Sequence, residues 1–358
     1  VGCERPVEEL ARLLAGADRR PILLVGPRQV GKTAILHEVT RRLCAGKAER
    51  YAGGRPLWHV SPMRLISGMS VLGEWENRIL AILDHARARD LVLYFDDLLG
   101  LFTAGVSSAS DLNVAQVLKP ALEKRSVRVI AEITPEAWRI LRERDRTFAD
   151  LFHVLPVSEP SEAETLRVLV SVARHLEAQH ACEFEVEVVP TVYDLCRRFG
   201  GDAVFPGKAA GFLRRLAMKF RGQAVGAENA RKQFQEQSGL RSDFLDHACR
   251  LDRDAILAGL RRGVVGQDQA LEAFADGLVK FKARLHDPRR PLGTFLLLGP
   301  TGVGKTQAAK ALATYLFSHE DRLLRFDMNE YVDPAAAPRL TGTAREPEGL
   351  LTSAIRRQ

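Results

Sequence analysis

PILLVGPRQVGKTA (residues 21–34) and TFLLLGPTGVGKTQ (residues 294–307) share one pattern: a short apolar run, then GxxxxGKT, then residues with helical periodicity. A loop of this kind binds phosphate. Backbone N–H groups in the Gly-rich turn and at the start of the following helix point at phosphate oxygens, so side chains there must be small or absent. The first loop comprises Gly26, Pro27, Arg28, Gln29, Val30, Gly31, Lys32 and Thr33, with Ala34 next; the second comprises Gly299, Pro300, Thr301, Gly302, Val303, Gly304, Lys305 and Thr306, with Gln307 next. Lys32 and Lys305 would reach the terminal phosphates, and Thr33 and Thr306 would ligate magnesium. Pro27, Arg28 and Gln29 make the first loop the less regular one.

Working outward from the first loop, apolar runs predict strands at 21–25, 57–60, 91–95, 127–131 and 152–156. Helical periods fill the gaps at 33–45, 73–88, 112–124 and 135–144. Strands alternating with helices imply an α/β fold, a parallel sheet between two helical layers. In that setting VLYFDDLLG (residues 92–100) is a buried strand whose tip carries Asp96 and Asp97. Two acids at a buried strand end need solvent or a cation. Beside a phosphate loop, Asp96 becomes a magnesium-holding carboxylate, together with Thr33.

The rest of the chain divides by composition. Residues 1–157 form the first nucleotide-binding subdomain and 158–220 a helical lid; 221–262, polar and charged, read as a linker; 263–358 begin a second module around the second loop. The net charge is +7 and the apolar fraction 46%. No apolar run is long enough to cross a bilayer, Phe295–Leu298 being typical. No Lys/Arg run is interleaved with aromatics, so nucleic acid is not an expected partner. The five cysteines are scattered without a CxxC pair, which predicts a reducing, cytoplasmic setting. His175, His180 and Cys182 match no zinc spacing.

Together these residues resemble the tandem AAA+ modules of the Clp unfoldases, the ClpA, ClpB and ClpC types. The matching segments are VGCERPVEEL, GPRQVGKTA, LGEWENRI, LVLYFDD, VLKPALEKRSVRVIAEIT, PGKAAGFL, VVGQDQALEA, DPRRPLGTFLLLGPTGVGKTQAAKALA and RFDMNEY, spread over nearly all 358 residues. The resemblance implies the AAA+ αβα fold with a helical lid, ATP and magnesium as cofactors, and a hexameric ring that pulls protein substrates through its pore. It places a polar sensor at Thr134 and the residue that orients the attacking water at Asp97. The linker is too short for the coiled-coil middle domain of the disaggregase type, which needs sustained heptads, so the layout resembles the ClpA type.

Departures from the pattern refine this expectation. The family ends its metal-holding strand with Asp-Glu, whereas Asp97 is one methylene shorter than Glu. Its paired arginine finger falls on Asp150 and Leu151 here, with Arg144 and Arg146 nearby as substitutes acting in trans. Met69, Ser70 and Val71 stand where the family carries a Lys-Tyr type pore pair, and TAREPEGLL (residues 343–351) replaces an aromatic pore loop. Without more strands the second module would leave an open sheet, so the polypeptide is expected to continue past Gln358. The expected activity is an ATPase that remodels proteins. Its first module mainly binds nucleotide and supports a homo-oligomeric ring or a ring shared with a paralogue, and its second module hydrolyses ATP. A nucleotide-switched scaffold is the alternative; a nucleic-acid handler, prompted by the charge and by Arg289 and Arg290, is the third reading.

Overall fold

The computed structural model describes residues 4–44, 55–68, 74–106, 112–201, 203–246, 249–283, 285, 291–333, 336–342 and 349–357. The expectations placed on Met69, Ser70, Val71, Arg289, Arg290 and most of TAREPEGLL lie outside these residues. The chain forms two compact units, Val1–Ser171 with Ala203–Lys208, and Val172–Asp202 with Ala209–Gln358.

In the first unit five strands, β1 (Ile22–Val25), β2 (Leu57–His59), β3 (Val92–Phe95), β4 (Arg128–Ile133) and β5 (His153–Pro156), form one parallel sheet in the order β2-β3-β4-β1-β5. Helix α1 (Glu4–Ala15) precedes β1, and α2 (Lys32–Cys44), α3 (Pro62–Ile66), α4 (Glu74–Ala88), α5 (Val114–Glu123), α6 (Pro135–Arg144) and α7 (Arg146–Ala149) lie in the crossovers. Alternate strand residues serve opposite layers. Leu23, Leu93, Phe95, Val129, Ala131 and Ile133 pack with Ile79 and Leu83 of α4 and Leu118 and Leu122 of α5. Ile22, Leu24, Val92, Tyr94 and Ile130 pack with Leu10 and Leu14 of α1 and Ile35, Leu36 and Val39 of α2. The expected three-layer αβα sheet is therefore present. One strand differs from expectation in a way that matters below: β4 runs on to Ile133, which puts Glu132 inside it.

Helix α8 (Glu162–His180) leads into the residues of the second unit. There β6 (Glu183–Phe184) pairs in parallel with β7 (Ala224–Val225), among α9 (Val188–Phe199), α10 (Gly207–Lys219) and α11 (Ala227–Ser238). Residues 221–262, read as a polar linker that ends in the helical run LDRDAILAGLRR (251–262), contain β7, α11, α12 (Ser242–Leu245) and, within that run, α13 (Arg253–Arg261). Helix α11 buries only Ala227, Ala230 and Phe234, the last against the rings of Phe199 and Phe212, so its sequence looks solvated. Helices α13, α14 (Asp268–Lys282) and α15 (Lys305–Phe317) share a core of Ile256, Leu260, Leu271, Phe274, Leu278 and Ala308. Segment 294–298, the apolar run before the second loop, and segment 323–326 carry no regular secondary structure and join no sheet among the described residues, and Leu296 and Leu298 are 82% and 83% exposed. A strand needs neighbours to satisfy its ladder. No described helix is long and apolar enough to cross a membrane.

At the amino-terminal ends of the strands, Asp90 accepts from Arg55 Nε at 2.5 Å and pairs with Arg19 at 3.2 Å and Arg128 at 3.5 Å. Arg128 is 6% exposed and also donates to the Gly16 carbonyl at 3.1 Å. The Arg55 hydrogen bond holds the Asp90 carboxyl below its usual value. A depressed carboxylate stabilises the fold above its unfolded pKa, and that contribution is lost as pH falls through the folded value. Asp90→Asn is therefore expected to lower the urea midpoint at pH 7, with the difference from wild type shrinking as the pH is taken below about 4. An equal deficit at both pH values would show that the charge of Asp90 is not what holds the three arginines.

Candidate functional site

Ligands of open parallel sheets bind beyond the carboxyl ends of the strands, and the sequence-predicted groups of the first loop gather there. β1 delivers the loop. Gly26 donates to the Ile133 carbonyl at 3.2 Å, and a Cβ on Gly26 would lie 2.4 Å from the Val157 carbonyl oxygen. Gln29 and Gly31 take positive φ, 65° and 109°, matching Gly302 and Gly304 at 85° and 96° in the second loop. Glycine adopts this geometry freely, whereas for Gln29 it costs about 1–2 kcal/mol.

The lysines behave alike in the two loops. Lys32 Nζ donates to the carbonyls of Gly26 at 2.7 Å and Pro27 at 2.8 Å. Lys305 Nζ donates to those of Gly299 at 2.7 Å and Pro300 at 2.5 Å. Each ammonium thus closes its own loop while standing at the start of its helix. Lys32 is 8% exposed, and burial pushes its pKa down against the opposing pull of Glu132.

The strand tips supply oxygen donors. Asp96, exposed just past β3, pairs with His59 Nε2 at 3.1 Å. Asp97 accepts from the Gly100 N–H at 3.1 Å, which directs this oxygen into the turn at Leu99–Phe102. Thr134 Oγ1 accepts from the Ala137 N–H at 3.3 Å and caps α6. The Thr33 hydroxyl, expected beside Asp96, instead donates to Glu132 Oε2 at 3.2 Å, while Tyr94 donates to Glu132 Oε1 at 2.7 Å. Burial raises the pKa of both Glu132 and Tyr94. Hydroxyl, carboxylates, ammonium and a glycine-containing loop form a hard-oxygen, phosphate-binding set that fits a magnesium nucleotide.

Other expected groups lie away from this cluster. Asp150 is an exposed side chain 3.9 Å from Arg146 Nε, and Leu151 packs on the core. Arg144 stacks over Phe102 at 5.3 Å, while the side chain of Arg146 is 77% exposed. In the second loop Thr306 is exposed; Gln267 of the VVGQDQA segment donates to the Val303 carbonyl at 2.7 Å, and Gln307 to the Gly263 carbonyl at 3.2 Å.

Glu132, His59 and Gly207 escaped the sequence reading. Glu132 breaks an apolar strand, the one signal that could have revealed it. Gly207 follows Pro206 in the first unit, and a Cβ there would approach Gln29 Cβ to 2.3 Å and its carbonyl oxygen to 2.6 Å. Gly207→Ala must displace the loop backbone, an overpacking cost of about 1–3 kcal/mol. Nucleotide affinity of the first loop, measured in a chain with Lys305→Ala, should fall roughly tenfold. Unchanged affinity would mean that the loop yields at no cost.

Two regions match family models, residues 22–146 the ATPase family associated with various cellular activities (AAA) and residues 290–358 the AAA domain (Cdc48 subfamily). The chain is 30% identical to a ClpA homolog protein of Fuscovulum blasticum, over 96% of this chain and 44% of that protein. It is 24% identical to the ATP-dependent Clp protease ATP-binding subunit ClpE of Lactococcus lactis, over 100% of this chain and 56% of that one. The chain thus spans about half the length of the curated relatives it matches. Among solved structures it resembles the S. cerevisiae Hsp104-ADP complex with a TM-score of 0.71 and 26% identity, over 99% of this chain and 62% of that one. The Hsp104:casein complex, extended conformation, gives 0.70 and 26%, over 96% and 60%. With two AAA regions in tandem, Clp relatives matched along its whole length and a sheet that ends in a phosphate loop, the chain is similar to the Clp-type AAA+ ATPases.

Proposed function

We propose that this chain acts in an ATP-driven protein-remodelling motor, in which the first module binds ATP and magnesium mainly to hold a ring together and the second performs most of the hydrolysis. The observation that carries the reading is the contrast within the first site. Its binding parts support the reading: Lys32 closes the loop, and Thr33 and Asp96 are the groups that would hold a magnesium ion. Its cutting parts are weak: Asp97 is a methylene short, with one oxygen occupied by Gly100, and Asp150 and Leu151 occupy the finger positions. A magnesium ion held by Thr33 and Asp96 would supply positive charge beside the phosphates. Thr134, at the tip of β4, would contact the terminal phosphate as the polar sensor.

Nucleotide held across a subunit boundary stabilises an assembly by mass action without turnover. The ring, its protein substrate and its six-fold count are carried over from the Clp resemblance; Hsp104 in complex with casein is one such relative. Arginines could come from a neighbouring copy through the exposed Arg146, or from a more competent paralogue in a mixed ring. A switch or scaffold without threading is the second reading, favoured by the lack of aromatic side chains in residues 69–71 and 343–351.

Steady-state ATP turnover and sizing with and without ATP test the division. Lys305→Ala is expected to remove most turnover, and Lys32→Ala to lose ATP-dependent assembly while the second site retains its chemistry. Normal turnover after Lys305→Ala would sink the scheme. Inert chains that still assemble with ATP would favour the switch.

In the Lys305→Ala chain, Asp97→Glu should raise the residual turnover by up to about a hundredfold, the scale of a 1 Å misplacement. No rise would assign the defect to the missing arginines instead, whose loss costs roughly 10³ to 10⁵.

A further inference from the structure

Glu132 has no part in the function proposed so far. It sits on β4 at 6% exposure, on the sheet face that carries Tyr94 and the start of α2. Its two oxygens accept from two neutral hydroxyls, Tyr94 at 2.7 Å and Thr33 at 3.2 Å. Lys32 attracts it but gives its hydrogen bonds to the carbonyls of Gly26 and Pro27, and Asp96 repels it. A buried carboxylate bonded only to neutral hydroxyls is costly, and a divalent cation is one of the few groups that offsets this. Thr33 is the loop residue whose oxygen would face that cation. By accepting the Thr33 hydrogen, Glu132 leaves the hydroxyl lone pairs for a metal.

We propose that Glu132 is a cation-holding carboxylate of the first nucleotide site, acting with Asp96 and through the Thr33 hydroxyl, so that nucleotide binding there depends strongly on the divalent ion. The inference rests on the reading that the first module binds a magnesium nucleotide. Hard cations favour carboxylate oxygens, and each added carboxylate strengthens their hold. The same negative charge repels the phosphates of a metal-free nucleotide. Glu132 therefore widens the gap between the two affinities from both sides.

The test uses the full chain with Lys305→Ala, so that only the first loop reports, and a fluorescent ADP analogue whose Kd is measured in EDTA and in excess magnesium. The readout is the factor by which magnesium tightens binding. E132Q, which keeps shape and can still bond both hydroxyls, is expected to cut that factor about tenfold, with the EDTA affinity unchanged or improved. E132D keeps the charge but withdraws it by one methylene, and is expected to cut the factor severalfold. Tyr94→Phe removes a hydrogen bond but no charge, and should leave the factor within about threefold. If E132Q weakens binding in EDTA and in magnesium equally, Glu132 serves only to brace Thr33 and Tyr94, and the proposal falls; an unchanged factor overturns it too. Should E132Q fail to fold, E132D decides alone, an unchanged factor again overturning the proposal. A parent chain that binds no nucleotide in either buffer overturns the reading of the first module and this inference with it.

Discussion

A parallel sheet covered by helices on both faces leaves charged side chains few places other than the ends of its strands. The rest of the first unit follows from that constraint. At the amino-terminal ends Asp90 gathers Arg19, Arg55 and Arg128 into one network. At the carboxyl-terminal ends stand Lys32, Asp96, Asp97 and Thr134, near a loop whose backbone can meet phosphate. Glu132 is the exception, one residue inside β4 and 6% exposed. An ionisable group inside a layer otherwise made of Ile22, Leu24, Val92, Tyr94 and Ile130 calls for a cause, and the nearby loop threonine supplies one.

The two loops show which parts of the phosphate site are local. Lysine to carbonyl bonds five and six residues back, and positive φ at the third and fifth positions counted from the proline, recur in both. These features follow from GxxxxGKT alone and need no sheet, since the second loop shows them although segment 294–298 joins no ladder among the described residues. What differs is what the loop leads away from. Lys32 sits beside a completed sheet, with carboxylates just past β3 and within the adjoining β4. Loop geometry is therefore legible from the motif, while the electrostatics of the site come from strands distant in sequence.

The sequence was accordingly a good guide wherever a single run decided the outcome. Each expected strand of the first unit lies within about two residues of the observed one, because continuous apolar runs bounded by polar residues have one stable use in an αβα sandwich. The reading failed where partnership decided. Glu132 lies just past the run expected at 127–131; pairing with β1, Leu24 beside Glu132 and Val25 beside Ile133, extends β4 instead. Helix α11 lies in a segment whose polar composition suggests a linker, since a stripe of two alanines and one phenylalanine is invisible in composition. Gly207 carries no chemistry of its own and matters only because Gln29 lies against it.

Holding a nucleotide and cutting it ask for different atoms. Affinity draws on loop N–H groups, the lysine and the cation; cleavage draws on a carboxylate that aims water and on arginines that meet charge developing in the transition state. Under the proposed reading, the first site is rich in the former and poor in the latter. With Asp96, Asp97 and Glu132 beside Lys32 and Arg28, a cation that accompanies the polyphosphate would relieve the repulsion between its charge and these carboxylates. Interactions that act on the bound ground state as much as on the transition state tighten binding without raising the rate. A cation locked by an additional carboxylate belongs to that class. It would lengthen the stay of ATP at a boundary between subunits and do nothing for its hydrolysis. The shorter acid at position 97 and the buried acid at 132 would then serve the same end, a site that keeps its nucleotide in place.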